Sequence, residues 1–152
     1  MLKVASPPLR LIAGTTGVNL SDATSLNDAQ RFLSEYIATY DELHVLLCLL
    51  RRRDIDTVPS SVARDLGIPE SVCLLALEAL CVRRLAQRSA DGKAFRFAPA
   101  TDALTRGALA LDHAYHLSPV NVIRAMSENA MQRLRSSAAR AFPDLTPARK
   151  PQ

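Results

Sequence analysis

The chain has few of the residues that metal sites and phosphate-binding loops require, and it has no long apolar run. Its 152 residues include no tryptophan, three histidines, three cysteines and five glycines. No apolar run approaches the roughly 18 residues of a membrane span. The amino-terminal segment is interrupted by a proline pair and Arg10, and so lacks the continuous apolar stretch of a signal peptide. We therefore expect a cytoplasmic protein of one domain, long enough to build a core without disulfides or metal.

The three cysteines are predicted to be structural. Cys48, Cys73 and Cys81 all lie inside apolar helical patterns. An odd number of cysteines without CxxC spacing argues against both a disulfide framework and a zinc site. We expect small buried apolar groups in a reducing compartment.

The sequence contains no convincing catalytic or metal-binding set. His113 and His116 could face one ion on a helix, with Asp112 adjacent, but zinc requires further protein ligands. His44 and Cys48 are four residues apart among leucines and lack a group that would orient a nucleophile pair. A glycine-rich phosphate loop is also missing. We predict no enzyme, no metal and no cofactor.

The net charge of +4 is concentrated in the carboxy-terminal third. Residues 1–54 carry six basic and six acidic side chains, residues 55–100 carry six and five, and residues 101–152 carry seven and four. The excess of positive charge therefore follows the central part of the chain and does not lie on it.

Composition and periodicity divide the chain into four parts. We predict a flexible arm over residues 1–24, a winged-helix domain with leading helices over 25–98, carboxy-terminal helices over 99–142, and a disordered tail over 143–152. "SLND" at Ser25 has the form of a capping box that starts a helix running to about Tyr40. Asp41 can cap the next helix, "ELHVLLCLLRRR", which is apolar on nearly all sides and should be buried.

The central segment has the order of a winged helix. "DIDTV" leaves room for a short strand, Pro59 and Ser60 open the helix "SSVARDL", and Gly67 supplies a turn. Pro69 suits the first position of the next helix, which runs to about Arg84. "LAQRS", "ADGK" and "AFRFAP" then predict strand, turn and strand. We predict a mainly α fold with a small β-hairpin, a winged helix-turn-helix flanked by amino- and carboxy-terminal helices.

Two helices are predicted after the hairpin. The first has an apolar stripe of Leu104, Ala108, Leu111 and Tyr115. Ser118 and Pro119 then cap and open a second helix, whose predicted stripe is Val120, Ile123 and Met126 and which could break at 127–129. Farther along, Arg133 and Arg140 share a face beside Leu134, Ala138 and Phe142. This part either packs on its own domain or pairs two subunits in a homodimer.

Residues 57–98 resemble the winged helix-turn-helix of bacterial transcription regulators. "VARDLGI" has the small residue and turn glycine of that motif at Ala63 and Gly67, and "ALEALCVRRLAQR" resembles its second helix running into the wing. Arg84 stands where such proteins often have glycine. "YIATYDELHVLLCLLRR" and "NVIRAMSENAMQRLRSSAARAF" are similar to segments of small uncharacterised bacterial winged-helix proteins. The resemblance implies a fold and a regulatory setting, with no catalytic residues.

The second helix of the motif has an unusual outward face. At 100° per residue, one side collects the predicted core residues Pro69, Cys73, Ala76, Leu77 and Leu80. The opposite side collects Ser71, Leu74, Leu75, Glu78 and Val82. Bases are read mainly by Arg, Lys, Asn and Gln side chains, and carboxylates are unfavourable against phosphates. This face is therefore poorly suited to DNA.

Two explanations of the aliphatic face remain open. The protein's own arm or terminal helices could cover it, or it could be an exposed patch that meets a partner. Our first hypothesis is a non-catalytic regulatory protein of the bacterial cytoplasm. It would bind a protein partner through Leu74, Leu75, Glu78 and Val82.

The alternative hypothesis is a transcription regulator that binds double-stranded DNA. Its contacting residues would be Arg64, Ser71, Arg88, Lys93 and Arg96. Basic residues on the wing could neutralise phosphates, and such contacts position a protein without specifying a sequence. Each of them could equally be a solvated surface charge.

Overall fold

The structure is a computed structural model that describes the backbone of residues 20–143 and the side chains of residues 24–143. This part contains six helices and two strands: α1 (Leu20–Tyr36), α2 (Tyr40–Arg51), α3 (Pro59–Leu66), α4 (Glu70–Val82), β1 (Ala86–Arg88), β2 (Phe95–Phe97), α5 (Asp102–Leu117) and α6 (Pro119–Ala141). None of these six helices combines the length and the hydropathy that spanning a membrane requires.

Helices α3 and α4 and the hairpin form a winged helix-turn-helix, which confirms the predicted fold. Gly67 ends α3 with a φ of 67°, a left-handed conformation that favours glycine. Strands β1 and β2 are antiparallel, with Ala86 opposite Phe97. The predicted short strand before α3 is a single bridge, in which Thr57 and Phe95 exchange two backbone hydrogen bonds of 2.8 and 2.9 Å.

Helix α2 occupies the centre of the core, as its sequence predicts. Eight of its residues are buried, among them Leu43, Leu46 and Leu49. It packs against α3, α4 and β2, while α1 packs along α5 on another side of the molecule. An apolar helix is stable in this position because neighbours cover most of its circumference.

Helix boundaries differ from the sequence prediction at α1 and α2. Helix α1 begins at Leu20, so the "SLND" segment from Ser25 lies inside the helix and does not start it. Thr24 and Ser25 line a groove with Leu109 of α5, so the chain at and just before the predicted cap lies beside another helix. Residues 1–19 of the predicted arm and 144–152 of the predicted tail lie outside the described residues.

The cap of α2 is Thr39 and not Asp41. Helix α1 ends at Tyr36, and the Thr39 hydroxyl accepts a hydrogen bond from the Glu42 amide at 3.1 Å. The amide of Ala38 donates to the Glu42 carboxylate at 2.7 Å. The side chains of Thr39 and Glu42 thus each accept from a backbone amide at this turn. Thr39 and Asp41 are both residue types that can cap a helix, so residue type alone does not predict which of them does so.

Helix α6 is continuous and has a different orientation from the predicted one. Ser118 caps it as predicted, accepting from the Asn121 amide at 3.4 Å, but the helix does not break at 127–129. Its buried residues are Val122 and Met126, whereas Val120 and Ile123 of the predicted stripe are exposed. The side that meets α1 and α5 is therefore rotated away from the most apolar side of the helix.

Candidate functional site

Helix α4 is oriented largely as its periodicity predicts. Cys73, Ala76, Leu77 and Leu80 are buried. Pro69, which we placed on the same core side, is exposed because it precedes the helix in an extended conformation, with φ −60° and ψ 142°. The helix is thus held by four positions with the i, i+3, i+4, i+7 spacing of an amphipathic helix.

The opposite side of α4, which we call the outward face, is open. It consists of Ser71, Leu74, Leu75, Glu78 and Val82, all of which are exposed. Leu75 is 68% exposed and Val82 is 83% exposed. Within residues 24–143, no part of the chain covers this face. Aliphatic side chains open to solvent to this extent are typical of contact surfaces when they are adjacent.

Glu78 anchors the wing to the outward face. Its carboxylate accepts a hydrogen bond from the Arg88 guanidinium at 3.1 Å, and both side chains are about half exposed. The guanidinium also lies over the ring of Phe95, 5.0 Å from its centroid. Arg88, a predicted phosphate contact, is therefore positioned by a carboxylate and an aromatic ring of its own chain.

A second wing arginine also has an acidic neighbour. The Arg96 guanidinium lies 3.7 Å from the Asp56 carboxylate. Lys93 and Arg64 are exposed. Arg88 and Arg96, two of the predicted phosphate contacts, therefore each have a carboxylate nearby. These carboxylates reduce the positive potential that would attract a nucleic acid.

The wing turn is ordered by Asp91. Its carboxylate accepts from the Ser89 hydroxyl at 2.5 Å and from the Lys93 amide at 3.0 Å, and these two hydrogen bonds hold the pKa of Asp91 below its usual value. Gly92 follows with a φ of 75°. The Asp-Gly turn predicted from the sequence is therefore a structural element of the hairpin, and its carboxylate places negative charge at the tip of the wing.

The end of α4 contains two features that sequence analysis did not identify. The Arg83 guanidinium donates to the buried carboxylate of Glu42 at 2.5 Å and so joins α4 to the start of α2. Arg84 has a φ of 62°, in the left-handed region that favours glycine. The signal for the second feature was present, because Arg84 stands where similar motifs often have glycine. Arg83 gave no comparable signal, since pairing across 41 residues depends on the fold.

The thiols of Cys73 and Cys81 both have a raised pKa. Burial raises the pKa of the Cys73 thiol to about 11, with smaller contributions in the same direction from Cys48 and Glu70. Burial also raises the pKa of Cys81, which Arg88 partly opposes. Neither environment favours a reactive thiolate.

His44 and His116 contact groups of their own chain. His44 Nε2 lies 3.4 Å from the Tyr115 hydroxyl. His116 Nδ1 lies 2.8 Å from the Asp112 carbonyl oxygen, the contact with a carbonyl near the end of a helix that its position suggests. Among the described residues, no group of three or more His, Cys, Asp or Glu side chains is arranged to hold a metal ion.

Comparison with known proteins identifies similar structures but no related sequence. No family model and no curated protein match the chain. A point mutant of S. aureus MepR bound to an oligodeoxyribonucleotide is 14% identical, with 95% of this chain and 100% of that chain covered and a TM-score of 0.45. Wild-type MarR from E. coli in its apo form is 12% identical, with 96% and 100% covered and a TM-score of 0.42.

Proposed function

We propose that the chain is a non-catalytic regulatory protein that binds a protein partner through the outward face of α4. The observation that carries the proposal is the exposure of Leu75 and Val82 on the side of α4 opposite the core. In a winged helix this helix is the element that projects from the motif. Here it presents aliphatic and acidic groups in place of the cationic and amide groups that read bases.

Burial of this face by a partner would be favourable. Fully burying a leucine or valine side chain contributes roughly 1.5–3 kcal/mol, and the exposed side chains of Leu74, Leu75 and Val82 all lie on this face. Glu78 lies between Leu74 and Val82, four residues from each, so a partner that covers this face must also offer polar groups to its ion pair with Arg88.

Double-stranded DNA is the second candidate partner, favoured by the exposure of Arg64 and Lys93 on the motif and the wing. Ser71 near the start of α4 would point toward the groove, and Arg88 and Arg96 would contact phosphates from the wing. In this arrangement both arginines must exchange the carboxylates of Glu78 and Asp56 for phosphates. Binding would then depend on backbone charge with little base readout.

Titration of labelled duplex DNA separates the two candidates. We expect no binding at low salt, measured by fluorescence anisotropy. Binding that weakens steeply with salt, with a log–log slope of roughly −0.9 for each phosphate neutralised, would support DNA if Arg88→Ala and Arg96→Ala each reduce that slope. That result would overturn the protein-partner proposal.

The protein contact is tested by cross-linking from position 75 and by comparing the Leu75→Asp variant with Leu134→Asp, its matched control on α6. A photoactivatable cross-linker at position 75, in the full chain expressed in its host cell, should capture a discrete partner. The same cross-linker at Gln87, an exposed position on β1, should not capture it. The purified partner should bind the wild-type chain and the Leu134→Asp variant but not the Leu75→Asp variant. Equal binding to all three would exclude the outward face of α4 as the contact.

A further inference from the structure

We propose that Glu78 of α4 and Asp56, in the segment before α3, are specificity-determining residues that keep double-stranded DNA off the motif. Each carboxylate lies beside an arginine of the wing, Arg88 or Arg96, that could otherwise bind a phosphate. The pairs neutralise both cations although all four side chains stay about half exposed. The proposal rests on the proposed function, binding of a protein partner, and assigns to these two residues the exclusion of the competing ligand.

Arg88 is held where a phosphate could reach it. Its guanidinium lies over the ring of Phe95, 5.0 Å from the centroid, and Phe95 is fixed in the core with 1% of its surface exposed. The aromatic ring positions the guanidinium but carries no net charge that would compensate it. With 46% of its side chain exposed, Arg88 would therefore remain an ordered cation on the wing if Glu78 lost its charge.

Glu78 opposes DNA in two ways. Its carboxylate accepts a hydrogen bond from Arg88 at 3.1 Å, so a phosphate that bound this guanidinium would have to displace an existing partner. Glu78 also lies on the outward face of α4, the side of the helix that would enter a groove. After the exchange its carboxylate would be left unpaired close to the phosphates, which repel it. Contact with a phosphate at Arg88 therefore has a cost that a neutral residue at position 78 would not impose.

Asp56 acts on the other strand of the wing. Its neighbour Thr57 exchanges two backbone hydrogen bonds with Phe95, and this bridge places Asp56 alongside β2. Successive residues of a strand point to opposite faces, so Arg96 points outward while Phe95 and Phe97 are buried. The Arg96 guanidinium lies 3.7 Å from the Asp56 carboxylate. The fold itself thus supplies the cation of β2 with a carboxylate.

Asp91, at the tip of the wing, does not have this role. Its carboxylate accepts from the Ser89 hydroxyl and the Lys93 amide, so its hydrogen-bond partners belong to the turn itself. The ammonium-bearing side chain of Lys93 is exposed. The exclusion of DNA is therefore assigned to two ion pairs with arginine and not to the acidic residues of the motif in general.

A gain of DNA binding tests the assignment. In the double variant Glu78→Gln with Asp56→Asn, amides of nearly the same shape replace both carboxylates, which frees both wing arginines. We expect the double variant to bind labelled duplex DNA of mixed sequence, measured by fluorescence anisotropy, where the wild type does not. Two phosphate contacts predict a log–log salt slope of about −1.8, from roughly −0.9 for each phosphate. A fourfold fall in salt concentration should therefore raise the affinity about 12-fold.

Two controls separate this effect from a general effect of charge. Asp28→Asn with Glu35→Gln adds the same amount of positive charge at exposed positions of α1, and should not bind DNA. Adding Arg88→Ala and Arg96→Ala to the double variant should abolish its binding. Failure of the double variant to bind DNA, or equal binding by the α1 variant, would overturn the assignment.

The wild type distinguishes failure of this assignment from failure of the proposed function. If neither the wild type nor the double variant binds DNA, the assignment to Glu78 and Asp56 is wrong and the α4 contact with a protein partner is unaffected. Salt-dependent binding of DNA by the wild type would overturn the protein-partner proposal and, with it, the exclusion of DNA.

Discussion

Gly107 of α5 lies against the ring of Phe32 of α1. A Cβ atom placed on Gly107 would stand 2.5 Å from Phe32 Cδ2 and 3.0 Å from Cγ, closer than non-bonded carbon atoms approach. Phe32 is itself 3% exposed and forms part of the core, so its ring has little space into which to move. The glycine therefore sets the distance at which α1 and α5 pack.

The change Gly107→Ala should lower the free energy of unfolding by about 1–3 kcal/mol. Alanine has the better helix propensity, but overpacking a filled core costs more than that gain. Urea denaturation followed by circular dichroism measures the effect. The neighbouring helical change Arg106→Ala, at an exposed position, is the control and should alter stability by less than about 0.5 kcal/mol. Equal stability of the wild type and Gly107→Ala would show that Phe32 can move aside.

The pair of Glu42 and Arg83 should couple the start of α2 to the end of α4. Glu42→Ala removes the buried acceptor of both the Arg83 guanidinium and the Ala38 amide and should cost about 2–3 kcal/mol. Glu42→Gln keeps an acceptor for the amide and should cost less. A double-mutant cycle with Arg83→Ala in urea denaturation measures the coupling. Strict additivity of the two single changes would contradict a direct interaction.

Arg84→Gly should stabilise the protein. The left-handed conformation costs a non-glycine residue about 1–2 kcal/mol, part of which glycine loses again through the greater freedom of the unfolded chain. We expect a net gain of about 0.5–1 kcal/mol in the free energy of unfolding. Arg84→Ala is the control and should give no such gain, because it removes the same side chain but leaves a residue with a Cβ atom in the left-handed conformation. A loss of stability in Arg84→Gly would mean that the arginine side chain contributes more than its backbone conformation costs.

The thiol of Cys73 should make stability fall at high pH. Its pKa is raised from 9.0 to about 11 by burial, so the folded state holds the proton more tightly than the unfolded state. This contribution is complete below pH 9 and is lost as the pH rises toward 11, with a total on the order of 2 kcal/mol. Urea denaturation at pH 8 and pH 10.5 measures the decline. Cys73→Ala should show a smaller decline than the wild type, and an identical decline would assign the effect to other groups.

Local patterns predicted the winged helix well because its signals lie within short stretches. Pro59 opens α3, Gly67 ends it, and the Asp-Gly pair closes the hairpin, each through a backbone preference that neighbours do not alter. Periodicity likewise predicted which side of α4 is buried. Pro69 was misplaced because its position before the helix, outside the regular turn, changes where its side chain points.

Predictions failed where packing partners distant in sequence decide the result. Helix α6 has two sides with apolar residues, and the sequence favoured the one with Val120 and Ile123. The structure buries Val122 and Met126, since those residues meet α1 and α5. The acidic partners of Arg88 and Arg96 were unpredictable for the same reason, as ten and forty residues separate them from Glu78 and Asp56.

The order of helices and strands, the turn at Gly67 and the aliphatic character of α4 follow from the sequence alone, because backbone preference and the 3.6-residue repeat act over a few neighbouring residues. Tertiary structure alone decided which apolar sides remain open and which cations are neutralised. The periodicity of a helix shows that its sides differ in hydrophobicity, but only contacts between distant segments determine which side is covered.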